Sequence, residues 1–175
     1  MRKLIHITSL CFVLLLLGIT QAQESKSPSV KKPALRLELL KRVRQDQSIR
    51  NELISKGVEQ PDKALLARMR AIDTANTRRV RAIVRKYGWP TPELVGRDGV
   101  DAAFLIVQHA KLNFQKEMLP LVEKAYRSGV LPGQSYALLL DRVLVGQGKP
   151  QVYGTQAKRF EDVRLVVANQ QSWRI

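Results

Sequence analysis

The stretch from Tyr87 to Ala110, YGWPTPELVGRDGVDAAFLIVQHA, constrains the fold more than any other part of the chain. A basic segment with helical periodicity runs into it and must stop there. Gly88 fits the position just past a helix C-terminus, and Pro90 blocks continuation. Pro90, Pro92 and Gly96 predict a rigid connector. Asp98 then fits a helix N-cap, with Asp101 in the first turn, both at the positive end of the helix dipole. The helix that follows, Ala102 to Ala110, is apolar on nearly every face and is therefore expected to be central and buried. Gln108 and His109 interrupt its apolar character.

Four further helices are predicted around it. Leu35 to Ser55 carries Leu35, Leu39, Val43, Leu53 and Ile54 at roughly helical spacing, with arginines and lysines filling much of the rest. Gly57 ends that segment and Pro61 opens the next. From Asp62 to Tyr87, the residues Leu65, Met69, Ile72, Val80, Ile83 and Tyr87 form one stripe. Asp73 and Asn76 fall in or beside that stripe, so they need partners or line a wet pocket. Arg78, Arg79, Arg81, Arg85 and Lys86 read as a solvated face of the same helix. Phe114 to Arg127 is amphipathic, with Pro120 expected to kink it or mark a restart, and Gln134 to Val145 follows with Asp141 and Arg142 at its middle. The fold class is all-α: a compact bundle of about five helices with a short extended C-terminal loop or strand over residues 150–156.

The N-terminus reads as a secretory signal. Arg2 and Lys3 precede an apolar run from Leu10 to Leu17, and Thr20-Gln21-Ala22 fits a cleavage site. Residues 1–22 are thus assigned to the signal, 23–33 to a flexible linker, 34–156 to the helical domain and 157–175 to a C-terminal tail. The protein is expected to be exported, periplasmic or secreted, with no stable membrane span once the signal is cleaved; anchoring by an uncleaved N-terminal segment is the alternative. Cys11 leaves with the signal, so no disulfide is expected. The formal charge is +15, and loss of Arg2 and Lys3 leaves 15 − 2 = +13. That charge points either to charged outer faces on a soluble protein or to an anionic partner such as a cell-envelope polymer. Export argues against nucleic acid.

Standard catalytic signatures are missing. The sequence holds no glycine-rich phosphate loop, no GxSxG, no HExxH and no CxxC. A single mature histidine and no mature cysteine argue against a structural zinc site, and no metal or cofactor is expected. The candidate chemistry lies in Asp73, Asn76, His109, Asp141, Arg142 and the loop containing Gln151, Tyr153 and Gln156. Three helices and a loop could converge there on one pocket. In that arrangement His109 serves as general base or acid, since histidine titrates near neutrality; the alternative is a core histidine bonded to a carboxylate or a carbonyl. Asp73 or Asp141 orients it, and Arg142 holds an anionic group. Asn76, Gln151 and Gln156 bind amide or hydroxyl groups. Trp89 and Tyr153 are either packing residues or a stacking platform for a ligand.

YGWPT, LVG, VQHA, DRVLV and GKPQVYGTQ occur in that order from Tyr87 to Gln156. The set resembles a bacterial family of unknown function whose members are often exported. The resemblance covers about Leu39 to Gln156 and implies that Asp73, Asn76, Trp89, His109, Asp141, Arg142, Gln151, Tyr153 and Gln156 occupy motif positions. It brings no activity with it, and Ala157 to Ile175 departs from the ending usual in the family. Three readings of function follow: a helical module with a polar pocket for a small polar or anionic ligand, a hydrolase using His109 with a carboxylate, and a cationic protein bound to anionic envelope polymers.

Overall fold

The computed structural model describes residues 29–56 and 62–156. Five helices follow one another: α1 (Pro33–Ser55), α2 (Lys63–Tyr87), α3 (Pro92–His109), α4 (Leu112–Arg127) and α5 (Gly133–Gly146). Residues 147–156 form a loop with no strand. The chain is an all-α bundle, as its periodicity predicts. The signal, most of the linker, the Gly57 and Pro61 punctuation and the C-terminal tail lie outside the described residues.

Local chemistry sets most of the boundaries. Pro33 opens α1, where its fixed φ and missing N–H cost nothing. Asp62 caps α2 by accepting from the backbone N–H of Ala64 (2.8 Å) and Leu65 (3.4 Å). Gly88, with φ 74°, stops α2. The α4–α5 turn is closed by the Val130 N–H donating to the Ala125 carbonyl at 2.8 Å, with Gly129 at φ 73°. α4 continues as one helix through Pro120 instead of restarting there; Pro120 is exposed, so the carbonyl it leaves unpaired is open to water.

The entry to α3 differs from the sequence reading. The expected connector contains a helical turn beginning at Pro92, and the break falls at Gly96 (φ 76°, ψ 161°). Asp98 does not act as the helix cap: its carboxylate accepts from Arg36 on α1, at 2.7–3.1 Å, and from the adjacent Gly99 N–H at 2.9 Å. The reason is steric. A Cβ on Gly96 would sit 2.8 Å from Asp98 Oδ1 and 3.1 Å from Arg36 Nε, so glycine supplies both the positive φ and the room for that pair.

α3 is central. It packs most extensively on α1 and also touches α2 and α4, while α4 and α5 form a hairpin. Val95, Val100, Ile106 and Val107 of α3 are fully enclosed; each such side chain contributes roughly 1.5–3 kcal/mol on leaving water. One continuous core joins Leu35 and Leu39 of α1, Val80 and Ile83 of α2, and Met118, Val122, Leu139 and Val143 of the hairpin.

Candidate functional site

α1 and α2 are zipped antiparallel by charge. Along α1, Glu38, Arg42, Asp46 and Arg50 recur every four residues and so share one face. Glu38 accepts from Arg79 at 2.8 and 2.7 Å and from Arg42 at 2.9 Å. The Arg79 hydrogen bond holds the Glu38 carboxyl below its ordinary pKa, with Arg42 helping and partial burial opposing. Further along, Arg42 donates to Asn76 Oδ1 at 3.3 Å and Arg50 to Asp73 Oδ1 at 2.9 Å. Asp73 and Asn76 thus find partners on the neighbouring helix, which is why polar residues are tolerated on the buried stripe of α2.

Asp46 is the centre of this ladder. It is 1% exposed. Its Oδ1 accepts from Arg50 at 2.8 Å, and its Oδ2 accepts from Gln47 at 3.0 Å and lies 2.6 Å from His109 Nδ1. A carboxylate against Nδ1 favours the proton on that nitrogen, so Nε2 is an acceptor in the neutral ring and a donor in the doubly protonated one. Among the described residues Nε2 has no hydrogen-bond partner, and the His109 side chain keeps 21% of its surface open. The result is a relay across three helices: His109 (α3), Asp46 and Arg50 (α1), Asp73 (α2).

Neither Asp73 nor Asp141, the carboxylates expected from the sequence to orient His109, touches its ring; that contact belongs to Asp46. Asp73 reaches the histidine only through Arg50 and Asp46. The signal for Asp46 was present in the four-residue alternation of acid and base along α1, which an eye on apolar spacing passes over.

Asp141 belongs to a different construction. Its fully buried carboxylate accepts the backbone N–H groups of Val152 (2.8 Å), Tyr153 (3.0 Å) and Thr155 (2.8 Å) and the Thr155 hydroxyl (3.0 Å). It fixes the 150–156 loop onto α5. Gln151 and Gln156 complete that loop: each backbone group of Gln156 pairs with the Gln151 amide, at 2.7 and 2.8 Å. Gln156 Nε2 also donates to the Leu138 carbonyl at 3.3 Å and to the Thr155 hydroxyl at 3.1 Å. The Tyr153 ring meets Tyr136 edge-on at 6.3 Å, and Tyr136 stacks on Tyr126 at 5.4 Å. Trp89 is buried in the main core, its Nε1 without a partner.

Arg142 stands between the two constructions. Its Nη1 donates weakly to the Gln108 carbonyl at 3.4 Å, which places the guanidinium on the peptide joining Gln108 to His109. Gln115 Nε2 donates to the same carbonyl at 2.9 Å, so both satisfy the C-terminal end of α3. No carboxylate pairs with Arg142 among the described residues, its Nε is buried without a partner, and burial pulls its pKa below the usual arginine range. The Gln108 side-chain amide, 5% exposed, also lacks partners for both of its polar atoms. Asn76 Nδ2 is a further such atom. Among the described residues no group of three or more histidine, cysteine, aspartate or glutamate side chains could hold a metal ion.

No curated protein and no solved structure matches the chain. A family model does, over residues 33–171, which takes in all five helices and runs past Gln156 into the segment expected to diverge. The chain therefore belongs to the family described as a family of unknown function, DUF6624.

Proposed function

We propose that this is an exported helical domain that binds a small polar or anionic ligand at the C-terminal end of α3, with His109 Nε2 as the group that meets it. One observation carries the reading: His109 Nδ1 is committed to the buried Asp46 at 2.6 Å, while Nε2 remains without a partner on a partly open side chain. A histidine used only for packing has no need of a buried aspartate braced by an arginine, since burying that carboxylate costs several kcal/mol before pairing. Arg142 supports the anionic part of the reading, because it brings a guanidinium with no carboxylate of its own to the Gln108–His109 peptide.

The test is a titration of the protein with acetate, inorganic phosphate and an N-acetylated sugar, followed by NMR of the imidazole nitrogens. At least one probe should shift Nε2 saturably, and His109→Gln should weaken that binding by about tenfold or more, the loss of one good hydrogen bond to a charged group. Shifts confined to other parts of the protein would remove the site.

The His109–Asp46 geometry also favours a second reading, a hydrolase. A carboxylate on Nδ1 is what makes Nε2 an effective general base toward water or a hydroxyl. Turnover of any ester or amide that survives His109→Gln unchanged excludes it.

A further inference from the structure

We infer that the face formed by the C-terminal half of α2 and the start of α1 docks peripherally on an anionic lipid bilayer. The argument begins with unmatched charge. Arg79 and Arg81 on this face are neutralised by Glu38 and Glu117, at 2.7 Å each. Lys32, Arg78 and Lys86 are exposed and have no carboxylate in salt-bridge range among the described residues; Lys31 has Glu93 nearby, which also faces Arg97, and the exposed Arg85 has Glu117 nearby, which pairs with Arg81.

These cations surround concave surface. A cleft of about 380 Å³ lies between Lys31, Lys32 and Glu38 on one side and Arg79, Lys86 and Tyr87 on the other. A shallower depression of about 630 Å³, lined by Arg78, Arg81, Ala82, Arg85 and Lys86, shares Ala82 and Lys86 with it. Together they make one basic trough. Tyr87, 38% exposed, lies at its edge beside the Lys86 ammonium, 5.3 Å from the ring centre. An amphipathic ring beside lysines suits the headgroup layer.

The bilayer, rather than a soluble polyanion, is favoured by where the chain enters. Lys31 and Lys32 are pinned to the fold by backbone hydrogen bonds to the Glu93 and Leu94 carbonyls, both at 2.9 Å. The apolar run ending at Leu17 lies 14 residues before Lys31, a separation that spans at most about 50 Å even fully extended. Before cleavage, or where the run stays as an anchor, the tether therefore meets the domain at Lys31, on the rim of the basic trough. No described helix is long and apolar enough to cross a membrane, so the contact proposed is peripheral.

The experiment compares binding of the full chain to phosphatidylcholine vesicles with and without phosphatidylglycerol. The N-terminal segment, with its Arg2 and Lys3, is common to every variant, so the change in the ratio of the two affinities from one variant to the next reads the basic face. The ratio should favour anionic vesicles, collapse in high salt and fall at least about tenfold in the double variant Lys32→Glu/Arg85→Glu. Lys124→Glu/Lys149→Glu, which changes net charge equally at exposed positions outside the trough, should leave it nearly unchanged. An equal fall in both double variants would reduce the effect to bulk charge and overturn the proposal. So would no preference for anionic vesicles, or soluble polyphosphate bound as tightly as vesicles with the same sensitivity to Lys32→Glu/Arg85→Glu.

Discussion

Asp46 and Asp141 are two fully enclosed aspartates in one small bundle, and they are satisfied in opposite ways. Asp141 is held by three backbone N–H groups and a hydroxyl from a single loop. None of those donors titrates, and the arrangement serves to fix a segment that has no secondary structure of its own. Asp46 is held by the side chains of His109, Arg50 and Gln47, and its network continues to Asp73. One of those partners, His109, has a second ring nitrogen with no hydrogen-bond partner among the described residues, on a side chain that keeps part of its surface open. Burial of a carboxylate is therefore not by itself a functional signal; the kind of donor that satisfies it is.

Substitutions separate the two. Asp46→Ala leaves Arg50 and His109 without their shared partner, and loss of one member of a buried pair costs about 3–5 kcal/mol. Urea denaturation should show that loss as a single cooperative shift of the whole bundle. Asp141→Asn keeps the shape but turns a donor toward N–H groups, at a cost of about 2–3 kcal/mol. Here hydrogen exchange should show the Val152, Tyr153 and Thr155 amides losing protection first while α1–α3 stay protected. Global unfolding with uniform loss would contradict the assignment of Asp141 to the loop.

His109→Gln is expected to cost under about 1 kcal/mol, because the glutamine amide can still donate to Asp46. A loss as large as that of Asp46→Ala would make His109 a structural strut and remove the basis for its proposed ligand role. The smallest effect concerns Glu38 at the other end of the ladder. Arg79 depresses its pKa, so its contribution is present above the unfolded value and is lost as pH falls through the lower folded value. Glu38→Gln should cost about 0.5–1 kcal/mol at neutral pH, given its partial exposure, and should flatten the acid limb of the stability curve below roughly pH 4.3.

Much of the helical frame was legible from residues alone. Gly88 and Pro90 are local signals, and local signals act through the backbone of their own turn. The start of α3 was harder to read. Pro92 looks like a breaker, yet in the first turn of a helix it costs nothing. Asp98 looks like a cap, but its partner Arg36 lies 62 positions away.

The candidate site divided along the same line. That Asp73, Asn76 and His109 were out of place on apolar faces followed from periodicity, which is a property of one helix at a time. Which carboxylate meets His109 did not follow, because Asp46 and His109 are 63 residues apart and only the packing of α1 against α3 brings them to 2.6 Å. Residue order alone sufficed for five helices, the glycine stop at Gly88 and the polar positions needing partners, since each depends on neighbours within a turn or two. Only the tertiary structure decided which partner each acquired: it assigned Asp141 to a loop and Asp46 to a histidine, because a hydrogen bond depends on distance in space and not on separation along the chain.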